Sequence, residues 1–423
     1  MPEEALKEGT LMLNLFRIAI RNLMRYKRRT FLTASLITIG VVFVLVFIAI
    51  SGSFRNMMVG QITDSFLGHI QIHKKGYVAS IDSLPLTMNL KANALKTVEN
   101  AIGDIPEIEA YSKRVKFGGM FSNFVETTNV RLNGVYPEDE IMTVPLFPGR
   151  IMEGAKIITK GEILIPELLA KGMKVKVGDM IVVVATNRDG SVNGKQFKVG
   201  GILESATGPG GRDGYIHIDD ALEVLRMDKV EISEIALRLN DFTNLEEIHK
   251  KLSVILSKQL NKEGKPAFEV HTWEKLSPFY NIAKMIDIMT LSIKLMLIAI
   301  VLISIMNVMI MAVYERIREI GTIAAIGTLP EKILSMFVLE GFALGVFGAL
   351  IGNIAGVSIV YILNIAKITF NFGRQTGLIL SPTVSPADIA TISIIVILVS
   401  VLASLQPAFK ASRMEPIEAL RHV

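Results

Sequence analysis

The side chains able to do chemistry are few in this sequence, and their settings narrow them further. The chain has no cysteine, so thiol nucleophiles, thiolate metal sites and disulfides are unavailable to it. His69 and His73 alternate with apolar residues in GHIQIHKKG. A strand would place them with Gln71 on one polar face, about 13 Å apart, too far to share a metal without further ligands; they are expected to be solvated. Gly190, Gly194 and Lys195 outline a phosphate loop, but the spacing is wrong and Gln196 stands where serine or threonine is required. GPGGRDG (208–214) opens no helix and reads as a flexible loop, or as a contact for an exterior protein. Glu340 lies inside an apolar run, where an unpaired charge is costly, and pairing with a neighbouring helix is expected in preference to a proton relay. The densest chemistry is in ERIREIGTIAAIGTLPEKIL (315–334), with six charged residues between two apolar runs.

The elements around that segment explain why it matters. Half of the 423 residues are hydrophobic and 20% are charged, too apolar for ordinary soluble domains. Four runs can cross a bilayer core of about 30 Å, which needs roughly 20 helical residues: Phe31 to Ser51, Leu295 to Val313, Ile333 to Leu363 and Ile389 to Leu405. The first is read as a retained helix, since both it and the residues before it exceed a cleaved signal. Seven basic residues against three acidic ones precede it, which places that end in the cytoplasm. Threading the chain from there gives a cytoplasmic amphipathic helix (1–30), a first span (31–53), a large exterior domain (54–284), a stalk and second span (285–314), a cytoplasmic helix (315–332), a third span (333–363), a short exterior loop (364–388), a fourth span (389–406) and a cytoplasmic tail (407–423) with Lys410, Arg413 and Arg421.

In the N-terminal segment Arg17, Arg21, Arg25 and Arg28 oppose a stripe of Leu13, Phe16, Ile20 and Leu23. This fits a helix in the membrane surface, acting as a topogenic anchor or touching a partner. The exterior domain alternates strand-like and helical patterns, which indicates an α+β fold: a mixed α/β part carrying a β-rich insert at about 133–214. Its 29 basic and 29 acidic residues balance, so nucleic-acid binding is not supported. Trp273, the sole tryptophan, is expected to pack at the domain's junction with the second stalk.

Helical spacing continues past the first span through Phe54, Met57, Met58 and Ile62, and Lys284, Asp287 and Lys294 share one face before the second. Both helices therefore extend as rods, the second about 45 Å long; a tilted helix with snorkelling lysines is the simpler alternative. In the 315–334 segment, Ile317, Ile320, Ala324 and Ile326 form an apolar stripe. Gly327 supplies a stop and Thr328 to Glu331 match a capping box. A plain turn needs only a few residues, so this helix reads as a surface gripped by a cytosolic partner, or as one resting on headgroups. Gly341, Gly345, Gly348 and Gly352 give close-packing spacing in the third span, for helix packing or for a dimer contact.

Three stretches, RNLMRYKRRTFLTASLITIGV, ERIREIGTIAAIGTLPEKI and QPAFKASRMEPIEALR, together with the four-span order, resemble the permease subunits of ABC transporters grouped with MacB, FtsX and the lipoprotein-releasing Lol permeases. The resemblance covers essentially the whole chain. It implies an inner-membrane permease with its large domain in the periplasm, working with a second permease, as homodimer or related heterodimer, and with cytoplasmic ATPase subunits. The helix after the second span would be the coupling helix, with Glu315, Arg316, Arg318, Glu319 and Gly321 contacting the ATPase. ATP and magnesium would be bound by that partner, this chain being non-catalytic and without cofactor. ATP-driven closure would move the exterior domain, a scheme called mechanotransmission. Length and layout are nearest the Lol permeases, which implies lipoprotein release to a periplasmic acceptor. MacB-like export, or an FtsX-like scaffold regulating a periplasmic partner, are the alternatives.

Overall fold

The computed structural model describes residues 17–18, 21–22, 24–25, 27–205, 213–372 and 375–415. The stripe at Leu13, Phe16, Ile20 and Leu23, most of GPGGRDG, and Arg421 lie outside them.

The first helix, α1 (Lys27–Ile62), is unbroken for 36 residues and passes into a π-helical turn, Thr63–Leu67. There follow β1 (Ile70–Lys74), α2 (Ala92–Gly103), β2 (Ile108–Ser122), β3 (Thr127–Val135), α3 (Pro137–Thr143), β4 (Ile151–Gly154), β5 (Glu162–Pro166), α4 (Glu167–Gly172), β6 (Met180–Thr186), β7 (Val192–Leu203), β8 (Gly214–His217), α5 (Ile218–Val224), β9 (Glu234–Leu239), α6 (Leu245–Ser257) and β10 (Phe268–Thr272). After α7 (Trp273–Leu276), helix α8 (Tyr280–Glu315) again runs 36 residues; then come α9 (Ile317–Ala325), α10 (Pro330–Ala366), the hairpin β11 (Thr369–Phe372) and β12 (Gln375–Ile379), and α11 (Pro386–Ser412). Among the described residues, four helices are long and apolar enough to cross a membrane: Thr30–Leu67, Tyr280–Glu315, Pro330–Ala366 and Pro386–Ser412. The chain divides into two compact units, with boundaries at Arg55/Asn56, Lys284/Met285, Phe370/Asn371 and Thr376/Gly377.

In the helical unit the pairing of α1 with α8 follows from periodicity. Ile37, Val41, Val44 and Leu45 on one, and Leu297, Val301, Ile305 and Met309 on the other, recur every three or four residues, so each set forms one stripe and joins a single buried cluster. Where the stripes end, the Ser51 hydroxyl lies 3.5 Å from that of Thr290 and Arg55 Nε lies 3.2 Å from Asp287 Oδ1. The α10 glycines are filled from both sides within this chain. A Cβ at Gly341 or Gly345 would meet Ser404 at 2.6 Å or Ser400 at 2.6 Å on α11; one at Gly348 or Gly352 would meet Ile37 at 2.5 Å or Val41 at 2.7 Å on α1. At these four positions the glycine face expected to serve helix packing or a permease dimer packs against α11 and α1 of this chain. Close backbone approach is what the missing Cβ permits.

The other unit is built on one ten-stranded mixed sheet, in the order β10-β1-β9-β2-β3-β8-β5-β7-β4, with β6 pairing β2 and β7. The β3–β8 and β5–β7 pairs are parallel and the rest antiparallel. The strands of 133–214, expected as a β-rich insert, belong to this same sheet: β6 pairs β2 from Gly119–Ala185 to Ser122–Val182, and β5, β7 and β4 continue it beyond β8. The Gly190–Gln196 stretch is part of the β6–β7 hairpin, and Lys195 is held by Asp220 (2.7 Å) and Glu223.

His69 and His73 correct the expectation of solvated strand residues. Strand β1 lies between β10 and β9, and both its faces are covered, so His69, Gln71 and His73 are buried. His69 Nδ1 accepts from the Leu239 amide at 3.0 Å, and the His73 ring stacks on Tyr77 with centroids 5.2 Å apart. Alternation identified the face but not that it is roofed.

That roof includes a buried charge cluster. Arg114 donates to Glu140 through Nε (2.9 Å), with Nη2 2.8 Å from the other carboxylate oxygen, and to Glu234 (3.0 Å) and the Phe66 carbonyl (2.6 Å) through Nη1. Lys116 Nζ lies 2.9 Å from Glu234, and Ser112 donates to Glu140 at 2.6 Å. Arg150 donates to the Ser65 carbonyl at 3.2 Å and Arg238 to Asp64 at 2.7 Å. Three arginines thus bind the π turn that ends the first long helix. Trp273, Tyr280 and Ala283, at the entry to α8, pack on the same apolar core.

Burial alone would raise the Glu234 carboxyl, but Lys116, then His73 and Arg114, hold it well below its ordinary value of 4.5. A carboxyl depressed by folding contributes stability that is complete above the unfolded value and is lost as pH falls toward the folded one. The full chain in detergent is therefore expected to lose its native Trp273 fluorescence as pH drops below about 4.5. Glu234→Gln should be less stable at neutral pH yet have a flatter acid limb. Superimposable acid limbs in the two proteins would exclude Glu234 as the group responsible.

Candidate functional site: an exposed elbow on a buried ion pair

The segment between α8 and α10 is shaped by two local breaks. At Arg316 the backbone leaves the helix (φ −111°, ψ 16°), so α8 ends and α9 starts in a new direction. At Gly327, φ is +95°, a conformation that glycine alone adopts without strain. The expected capping box at Thr328 to Glu331 is not made: the cap position is Leu329, extended and without a side-chain bond. Pro330 at the first helical position imposes that extended conformation on the residue before it.

Arg316 occupies the bend, and its side chain points inward, 5% exposed. Its Nη1 donates to Glu340 Oε1 at 2.8 Å and its Nε to Glu319 Oε2 at 3.2 Å, while the guanidinium lies over the Phe337 ring at 5.5 Å. Glu340, 1% exposed, also accepts from Asn22 Nδ2 at 2.8 Å. Glu319 is half-exposed and accepts from Arg25 Nη1 at 3.2 Å. Burial alone would lower the Arg316 guanidinium, but Glu340, followed by Glu319, carries it above its ordinary value. A carboxylate inside apolar helices requires such a permanent cation beside it.

Of the five residues expected to face an ATPase, Glu315 and Arg318 are exposed and Glu319 partly so. Arg316 and Gly321 are buried in this chain: Arg316 is paired with Glu340, and Gly321 lies on the inner side of the helix. Ile326 is also misplaced in the expected apolar stripe. The stripe is Ile320, with Ile323 and Ala324 packed beside it, whereas Ile326 is 80% exposed, alongside exposed Leu329 at the tip. The Gly327 stop, which leaves Ile326 at the cap just past the last residue of α9, was the signal in the sequence. Asn22 as a partner of Glu340 had no signal at all, being 318 positions away. The exterior Arg114 cluster had one: Ser112, Arg114 and Lys116 are polar at period 2 on a single strand face.

A sheet domain between the first two of four membrane-length helices, with a bent, ion-paired elbow between the second and third, defines an ABC transporter permease of the LolC/MacB/FtsX type. The chain belongs to the family of the MacB-like periplasmic core domain, which matches residues 30–255, and residues 291–416 match the FtsX-like permease C-terminal. It is 25% identical over 91% of its length to the lipoprotein-releasing system transmembrane protein LolC of Neisseria meningitidis, covering 92% of that protein. It is likewise 25% identical to the ABC transporter permease YknZ of Bacillus subtilis, over 96% of this chain and 98% of that one. To the macrolide export ATP-binding/permease protein MacB of Bdellovibrio bacteriovorus it is 25% identical over 79% of its length, spanning 50% of that relative.

Replacing Arg316 by alanine would strand a buried carboxylate, and a loss of about 3–5 kcal/mol is expected, measurable as a drop in the thermal midpoint of the detergent-solubilised chain. Arg316→Met combined with Glu340→Leu should recover most of it, because an apolar pair leaves no charge unsatisfied. A midpoint for Arg316→Ala equal to that of the parent would mean that Glu340 does not depend on this partner.

Proposed function

We propose that this permease couples ATP hydrolysis on a separate cytosolic ATPase to motion of its exterior domain, and that the work performed is release of lipoproteins from the membrane. The observation that carries the reading is the elbow: a charged, apolar-tipped helix, presented outward and anchored behind by the Arg316–Glu340 pair. Glu315, Arg318 and Glu319 form its charged flank, and Ile326 and Leu329 its apolar tip. An ATPase groove of complementary charge, with a hydrophobic floor, would grip such a surface. Displacement of the elbow would enter α8 at Arg316. Since α1 and α8 are single helices, side by side at Arg55–Asp287 and Ser51–Thr290, they are suited to carry displacement along their length.

The cargo reading rests on the LolC relative, which aligns along nearly the whole of both chains. Export in the manner of MacB is the second reading, favoured by equal identity to a relative of which this chain spans half. Purification in mild detergent followed by mass spectrometry separates them: triacylated lipoprotein co-purifying with the complex is expected, and its absence together with drug hypersensitivity of a deletion strain would favour export.

Reversing both exposed charges, Glu315→Lys with Arg318→Glu, is expected to abolish most permease-dependent ATP turnover while leaving membrane insertion intact. Unchanged turnover in that double variant would remove the docking role of the elbow.

A further inference from the structure

Five side chains form a continuous chain of contacts at the elbow, both ends of which lie on the segment that carries Asn22 and Arg25. Asn22 bonds Glu340, Glu340 bonds Arg316, Arg316 bonds Glu319, and Glu319 bonds Arg25, at 2.8, 2.8, 3.2 and 3.2 Å. Asn22 and Arg25 are both helical and three positions apart, so they project from one face. That face reaches two elements at once: Asn22 enters the interior to the α10 carboxylate, and Arg25 stays outside on the flank of α9. The membrane-surface segment is therefore not simply an anchor lying among lipids. It is fastened to the elbow from two directions, and α1 begins at Lys27, two residues past Arg25.

This juxtaposition has a mechanical consequence. Displacement of α9 enters α8 through Arg316, at the bend between them. It also enters the Asn22–Arg25 segment through Glu319 and Glu340, and thereby the start of α1. We propose that Asn22 and Arg25 are positioning residues of the coupling apparatus, which hold the N-terminal segment to the elbow so that both long helices are driven together. The proposal rests on the reading of the elbow as the ATPase contact. It differs from that reading in assigning Glu319 to Arg25 and Arg316 inside this chain rather than to the partner.

A charge swap separates the two assignments. The assembled complex of the full chain with its co-purifying ATPase, in lipid nanodiscs, would be compared as parent, Arg25→Glu, Glu319→Arg and the double swap. The readout is permease-dependent ATP turnover, with ATPase retention on size-exclusion chromatography recorded alongside. Each single variant places like charges together and should lower turnover roughly three- to fivefold, the scale of a partly exposed pair. The swap restores the attraction between positions 25 and 319 but leaves Arg316 facing a like charge, so turnover should rise about twofold over Glu319→Arg alone without reaching the parent. If Glu319 instead meets the ATPase, the swap still offers that partner the wrong charge; a swap no better than Glu319→Arg alone overturns the proposal.

Asn22→Leu is the neutral arm, usable even where a charge variant fails to assemble. It removes one donor from Glu340 while Arg316 remains in place, and turnover is expected to fall with the yield of assembled complex unchanged. Turnover equal to the parent overturns the proposal. Should the Glu315/Arg318 reversal also leave turnover untouched, the reading of the elbow as the ATPase contact fails as well, an outcome distinct from failure of the swap alone.

Discussion

A carboxylate carried inside an apolar helix has to be neutralised where it stands, and Glu340 is neutralised by a side chain from the bend between two other helices. Removing a charge from water costs several kcal/mol unless a partner and further hydrogen bonds offset it. Here the partner is Arg316, and Asn22 donates a second hydrogen bond to the same carboxylate oxygen. The pair therefore dictates where α8 stops, which way α9 sets off, and how the segment before α1 is held. An ion pair of this kind is weak evidence of net stabilisation. Its value lies in allowing one arrangement of three elements and penalising others.

The same physics recurs at the centre of the sheet unit. Arg114 is buried with Glu140 and Glu234, and its fourth contact is a backbone carbonyl of the π turn after α1. A helix end has carbonyls with no partner of their own, and guanidinium groups, with several donors in a fixed fork, are suited to donate to them. Arg114, Arg150 and Arg238 together meet the carbonyls or side chains of Asp64, Ser65 and Phe66. At both ends of the long helices, then, the chain uses buried or half-buried arginines where backbone order is interrupted: a π turn at one, a break at Arg316 at the other.

Between those ends the helices rely on apolar contact and on absent side chains. Glycines at every third or fourth position of α10 bring its backbone against serines of α11 and branched residues of α1. The charged and apolar features of the elbow are thereby presented by a scaffold with little freedom to rearrange. Such a scaffold would suit the proposed coupling to a separate ATPase, in which displacement of one element has to reach another.

Much of this was legible in the amino-acid sequence, because it depends on local periodicity and composition. Four membrane-length runs, the mixed helix and strand character of residues 54–284, the short helix after the second span and the resemblance carried by three stretches all follow from patterns within a few dozen residues. What the tertiary structure alone decided were partnerships between distant positions and which faces were covered. Alternation put His69 and His73 on one face of a strand but had no means of showing that this face is roofed. Helical spacing put Arg316 beside Glu315 and Arg318 as an outward charge, yet the bend at its own backbone turns it toward Glu340. Periodicity reports which residues share a face; only the packed chain determines whether that face meets solvent, lipid or another helix.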